Sequence, residues 1–397
     1  MSCWGLIYQY KNMSFPRKKN TLLFLLFFLS ISLFSQEIKK GEVYNYARKI
    51  VDTITSESMH GRGYVNDGDK IAANYIKTEF QKFGLKSFTK NYYQKFSFPV
   101  NTFPGKMSLN IDGKELIPGK DYIIKANSKS IDTTCSLTDF KRKGLIDFQN
   151  KLTMETSQVV SPSFTIQALS SNIDTSGTNI SVSIENKFIP NYKSQNIIGY
   201  VQGSEYSDSF IVFSAHYDHL GQMGDKVYFP GANDNASGCA MLLNLAKYYS
   251  MSEHKPKYSI AFMAFCGEEV GLLGSKYYTE HPLFPLKNIR FLLNMDIMGT
   301  GEEGITVVNG SVFKEEFDKL KQINTENNFI KDVKIRGKAA NSDHYFFSEN
   351  GVKAFFIYTM GGIKAYHDIY DKAETLPLNE FEDLFKMITK FNDYLQN

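Results

Sequence analysis

Four stretches of this chain, 210–213, 258–265, 289–295 and 354–358, are almost wholly apolar. A strand with one wet face alternates apolar and polar residues, whereas a strand covered on both faces does not. The four runs therefore predict the central strands of a mostly parallel sheet. Between and around them, apolar residues recur with helical spacing over 43–54, 70–83, 237–249, 270–279, 312–326 and 378–395, with a short helix expected over 343–349. Gly84 closes the second of these as a C-terminal cap, and Ser237 stands as an N-cap before the third. Strand and helix alternate, which predicts an α/β fold of three layers with helices on both faces of a mixed, mostly parallel sheet.

Two regions depart from that rhythm. Aromatic-rich alternation over 88–98 predicts one more strand. From 101 to 192 the texture changes to short alternations such as MSLNID, DYIIKA and ISVSIE, separated by Gly, Ser, Asn and Asp. This predicts a small β-rich insertion, and no catalytic constellation stands in it. The organisation expected is a leader over 1–35, an N-terminal part of the main domain over 36–100, the insertion over 101–192, and the catalytic part over 193–397.

The leader is read from Arg17-Lys18-Lys19 followed by the apolar run 22–34, which is short for a membrane span. It predicts export with cleavage after Ser35; an uncleaved anchor is the rival, since Leu33 suits a cleavage site poorly. Apart from such an anchor, no membrane partner is expected. The chain has 397 residues and a net charge of only +3, which argues against nucleic acid as a partner. Of its four cysteines, Cys135, Cys239 and Cys266 lie beyond the leader. Cys239 falls in a helical pattern and Cys266 at a strand end, so free buried thiols are expected, although an exported protein could pair two of the three.

The chemistry sits at the ends of the apolar runs. The first leads to His216 and Asp218, with Asp234 shortly after in GANDNASG. The second leads to Glu268-Glu269, the third to Asp296, and the fourth through Gly361-Gly362 to His367. Open α/β sheets place their sites in the crevice outside the carboxyl ends of the strands. His216 and Asp218 share one face of an extended chain, an arrangement that suits a ligand and the carboxylate that fixes its tautomer. His216, Asp234, Glu269, Asp296 and His367 can together hold two divalent metals if one carboxylate bridges. Two zinc ions bring four positive charges and three carboxylates remove three; a hydroxide would complete neutrality. Zinc accepts this nitrogen and oxygen donor set. Glu268 is then spare, and can take a proton from water and return it to a leaving group. His60, His219, His254 and His281 are left aside, His219 because its offset from His216 turns it to the other face.

These segments resemble the co-catalytic zinc aminopeptidases of the bacterial leucyl aminopeptidase and aminopeptidase Y type. The likeness is carried by HYDHLG, GANDNASG, the GEEVGLLGS of 267–275, NMDIMG, SDHYFF and the YHDIYDKAETL of 366–376, and upstream by the GRG of 61–63 and the Tyr-Gln-x-Phe of 93–96. It covers the chain from about residue 42 onward, excepting much of the insertion, where only PSFTI at 162–166 looks like part of a protease-associated domain. The resemblance implies two zinc ions per chain. His216 and Asp296 would serve one ion and Glu269 and His367 the other, with Asp234 bridging through a residue whose following peptide bond is cis. It makes Asp218 the partner of His216 and Glu268 the general base. It implies peptide substrates, with Asp343, His344, Tyr345 and Tyr366 near a substrate pocket. The alternatives on the same scaffold are a carboxypeptidase or deacylase, a single-zinc glutaminyl cyclase, and a non-catalytic binding module.

Overall fold

The apolar runs become neighbouring strands of one eight-stranded sheet in the computed structural model, which describes residues 41–174 and 176–397. Numbering only the strands of this sheet, they are β1 (Tyr93–Thr102), β2 (Lys187–Val201), β3 (Tyr206–His216), β4 (Tyr258–Phe265), β5 (Ile289–Met295), β6 (Gly304–Val308), β7 (Val333–Ile335) and β8 (Ala354–Met360). Their order is β1-β2-β4-β3-β5-β8-β6-β7. The four strands at the centre, β4, β3, β5 and β8, are mutually parallel. Antiparallel neighbours flank them: β2 beside β4 and β6 beside β8. All four parallel strands thus end at one edge of the sheet.

Side-chain alternation sorts the core into two layers. Phe213, Phe262, Phe291 and Phe355 meet three helices on one face. These are α2 (Gly68–Lys82) through Phe80, α3 (Gly238–Ser250) through Tyr249, and α7 (Phe381–Leu395) through Phe391. On the other face Phe210, Met263 and Phe265 pack with Tyr278 of α4 (Leu273–Glu280) and Phe347 of α6 (His344–Glu349). Outside the insertion there are also α1 (Glu42–Ile54), which buries Val43, Ala47, Ile50, Val51 and Ile54 along one stripe, and α5 (Lys314–Asn327). Complete burial of each such aromatic is worth about 1.5–3 kcal/mol, so the sheet is held from both sides, as its apolar runs require.

The insertion is framed by the sheet itself. β1 runs to Thr102 and β2 begins at Lys187, so the non-sheet part is 103–186, narrower at both ends than the texture of the sequence suggests. It folds as a four-stranded sheet, Lys114–Glu115, Met107–Ile111, Asn179–Ile184 and Ile131–Ser136, and a three-stranded one, Tyr122–Ile124, Ile166–Leu169 and Ile146–Gln149. The helix Leu137–Arg142 begins where Ser136 accepts the Asp139 N–H. The insertion's apolar core includes Leu220, Met223 and Phe229 from the loop after β3, and Ile369 packs against it. It is therefore continuous with the loop that follows His216 and with the one that carries His367.

Cys135, Cys239 and Cys266 are free, the last two buried. The leader expected over 1–35 lies outside the described residues. Among the described residues, no helix is long and apolar enough to cross a membrane.

Candidate metal centre

Each predicted ligand stands at or just beyond the carboxyl end of one of the parallel strands or in the loop that follows. His216 is the last residue of β3 and is buried. Its Nδ1 lies 3.2 Å from the Asp218 carbonyl and 3.7 Å from the Asp218 carboxylate, which leaves Nε2 facing inward. Asp218 is held in turn by the Tyr64 hydroxyl, which donates at 2.6 Å, and by the Glu268 N–H at 3.3 Å.

Asp234 occupies the turn 232–237, and its peptide bond to Asn235 is cis. The flanking asparagines tie that turn to the end of β5. Asn235 Oδ1 accepts the N–H groups of Gly238 and Ile297, its Nδ2 donates to the Met295 carbonyl, and Asn233 Oδ1 accepts the Gly299 N–H. Asp371 receives the N–H groups of Asn233 and Asp234 at 2.8 and 3.0 Å. From beneath, the fully buried Arg62 donates to the carbonyls of Ile54, Tyr217, Pro230, Gly231 and Asp234. Gly63 lets this segment lie against the loop after β3, since a Cβ there would stand 2.3 Å from Gly221 Cα.

The resulting geometry splits about the Asp234 carboxylate. Oδ1 lies 3.3 Å from His216 Nε2, which is itself 3.4 Å from Asp296 Oδ1. Oδ2 lies 3.1 Å from His367 Nε2, which is 3.2 Å from Glu269 Oε2. Two donor sets thus share one carboxylate. Asp296 Oδ2 accepts the Ser342 hydroxyl, while Asp296 Oδ1 is buried without a hydrogen-bond partner. His367 Nδ1 donates to the Met154 carbonyl at 3.0 Å, so its Nε2 lone pair also faces the cluster.

The electrostatics of the cluster call for positive charge. Burial alone would keep both imidazoles neutral, but Asp296 and Glu268 hold His216 well above its ordinary pKa, and Glu269 and Asp234 hold His367 at about 11. Burial pushes Glu269 up and Asp234 adds to that push, yet His367 and His219 outweigh both and hold it at about 2. For Glu268 burial wins: with Asp296, Glu269 and Asp343 adding and His216 opposing, its carboxyl is raised well above the usual range. The orphaned Asp296 oxygen, the two Nε2 atoms and the divided Asp234 carboxylate fit divalent cations with nitrogen and oxygen preference.

Glu268, Glu269, Asp234, Asp296 and His367 open onto a cleft of about 500 Å³, whose walls include Leu272, Ile297, Phe356, Tyr358 and Tyr366. Tyr366 is stacked on His367 and partly exposed. Asp343 and His344 are fully buried, and neither they nor Tyr345 line the cleft. Burial pushes Asp343 up to about 7 and His344 down to about 4.

His219 belongs to the site, against the expectation drawn from its offset. β3 ends at His216, so strand parity does not extend to residue 219. Its Nδ1 donates to Glu269 Oε1 at 2.6 Å. His219, Asp234 and Glu269 form one compact set of donor atoms, and His216, Asp234 and Asp296 another. His219 spends Nδ1 on the carboxylate, whereas His367 has both carboxylates before its free Nε2; this favours His367 as the ligand and His219 as the group that orients Glu269. Tyr64, Asp371 and the structural role of Arg62 were also missed. Arg62 and Asp371 lie within the GRG and YHDIYDKAETL segments, and that was the available signal.

Fold and site together define an α/β scaffold that gathers two sets of possible metal-donor atoms around the Asp234 carboxylate at the carboxyl edge of its sheet. Residues 196–392 match the model described as Peptidase family M28, and over this stretch the chain belongs to that family. Among curated proteins, aminopeptidase YwaD of Bacillus subtilis is 38% identical over 120 residues, which is 30% of this chain and 24% of that protein. A probable zinc metalloprotease of Pyrenophora tritici-repentis is 36% identical over 117 residues, 28% of this chain and 26% of that protein. The matched segment thus spans about a quarter of the length of these relatives. Among solved structures, the zinc aminopeptidase BSAP from Bacillus subtilis superposes with a TM-score of 0.66 at 19% identity, covering 88% of this chain and 94% of that one. A peptidase M28 precursor from Shewanella amazonensis gives 0.65 at 16% identity, covering 89% and 93%. These likenesses establish the three-layer fold expected from the sequence.

Proposed function

We propose that this protein is a zinc-dependent aminopeptidase that removes N-terminal residues from peptides, with two zinc ions per chain. The observation that carries the reading is the divided carboxylate of Asp234, one oxygen turned to His216 and Asp296 and the other to His367 and Glu269. The names borne by the relatives, zinc metalloprotease and aminopeptidase, agree with it. When bound, zinc would polarise the scissile carbonyl and acidify water.

The chain's own groups supply the rest. Glu268, on the cleft wall and not needed as a ligand, takes a proton from the attacking water and delivers it to the departing amine. Asp218 spans both functions, lying beside His216 Nδ1 while accepting the Glu268 N–H. Asp371 and Arg62 hold the 230–234 backbone, so that Asp234 presents one oxygen to each side. Leu272, Ile297, Phe356 and Tyr366 give the substrate's first side chain an apolar wall. The segment 17–34 supports export as the setting.

The test is a panel of aminoacyl and N-acetylated aminoacyl chromogenic peptides, assayed with and without chelator. Free-amine substrates should turn over, acetylated ones should not, and chelator should abolish the rate. Equal turnover of both would move the assignment to another hydrolase of the scaffold, and cyclisation of N-terminal glutamine would move it to a cyclase.

A further inference from the structure

The insertion core extends into a strap, residues 151–158, that crosses to the catalytic loops. Leu152 and Met154 anchor it in the insertion's apolar core. On one side it meets the loop that carries His367. The Met154 N–H donates to the His367 carbonyl at 2.8 Å and the Met154 carbonyl accepts from His367 Nδ1. Lys151 Nζ reaches the carbonyls of Lys364 and Tyr366, at 3.3 and 3.2 Å, and the Asp368 carboxylate at 3.4 Å. On the other side the strap meets the loop after β4. The Thr156 hydroxyl donates to the Glu269 carbonyl at 2.6 Å, and Gln158 Nε2 to the Val270 carbonyl at 2.8 Å.

The contacts are one-sided with respect to Asp234. Both residues that the strap holds, Glu269 and His367, belong to the same donor set. The hydrogen-bond partners found for His216 and Asp296, namely Asp218, Cys239, Ile357 and Ser342, all come from outside the insertion. His367 has a φ of 54°, a left-handed conformation that non-glycine residues adopt only when their surroundings over-determine it. The two-way pairing with Met154 is such a constraint.

We infer that the strap is a positioning element for one half of the metal centre: Thr156 and Gln158 fix the Glu269 loop, Met154 and Lys151 fix His367, and the Glu269/His367 site depends on them for its zinc affinity while the His216/Asp296 site does not. The inference rests on the two-zinc reading above. Partners of ligating side chains, when removed, commonly cost about 10- to 100-fold in metal affinity.

The experiment is zinc binding by chelator competition on the full chain. The pair Thr156→Val with Gln158→Leu is placed once on a His216→Ala background, which leaves the Glu269/His367 site to be read, and once on a His367→Ala background, which leaves the other. The expected result is a loss of about tenfold or more on the first background and less than threefold on the second. Thr156→Ser, which keeps the hydroxyl, should bind as wild type and so separates loss of the hydrogen bond from general damage. Equal losses on both backgrounds, or none on either, would overturn the inference. A wild-type protein that saturates at one zinc would overturn the two-zinc reading; if the double substitution also left that single site's affinity unchanged, the strap inference would fall separately.

Discussion

Arg62→Lys keeps the positive charge under the metal-binding turn but removes the fork that uses it. The guanidinium makes five hydrogen bonds, to the carbonyls of Ile54, Tyr217, Pro230, Gly231 and Asp234. An ammonium group has three N–H donors, all radiating from one atom. At least two buried carbonyls must therefore lose their partner, and each costs about 1–3 kcal/mol. The sum, roughly 2–6 kcal/mol, is a large share of the 5–15 kcal/mol by which domains are ordinarily stable. At about 2–4 °C per kcal/mol, the melting temperature should fall by at least about 4 °C. Because three of the five carbonyls lie on 230–234, zinc affinity should fall as well. Differential scanning fluorimetry with and without added zinc, together with elemental analysis, reads both effects. A melting temperature within about 2 °C of wild type, with unchanged zinc, would refute the role assigned to Arg62.

Glu268→Gln should lower turnover by about a hundredfold to ten-thousandfold at unchanged zinc content, whereas Glu269→Gln should lose zinc; measuring rate and metal in each variant separates base from ligand. Asp69 gives a prediction about pH. It is buried beneath Tyr192 and Ser194, which both donate to it, and burial pushes its pKa up to about 6 against those bonds. The folded protein therefore holds this proton more tightly than the unfolded chain, so the stabilisation is complete below about pH 4 and is lost as the pH rises through about 6. Urea unfolding across pH 4 to 7 should show wild type losing about 3 kcal/mol relative to Asp69→Asn. Parallel curves for the two proteins would exclude the shift.

What the sequence made legible followed from pattern. β4 and β5 were bounded at 258–265 and 289–295, because a run buried on both faces leaves no polar residue to confuse its period. β2 was missed: its first half, KFIPNYKS, is largely exposed and polar, and its partners β1 and β4 are distant in sequence. β6 and β7 were missed because five and three residues give periodicity little to act on. At the site, the five ligand candidates were visible because strand ends deliver them. The groups that aim them were not. Tyr64, Asp371 and Met154 act through hydrogen bonds across 154, 138 and 213 residues of chain, for which local pattern carries no sign. His219 was misassigned because a strand rule was carried past the end of the strand.

The most direct test of the account is zinc-edge anomalous diffraction from crystals of the zinc-loaded protein. The account predicts two peaks, one on each side of the Asp234 carboxylate. One should lie against His216 and Asp296 and the other against Glu269 and His367, with His219 hydrogen-bonded to Glu269 and away from both. A single peak under saturating zinc, or a second peak ligated by His219 in place of His367, would contradict it.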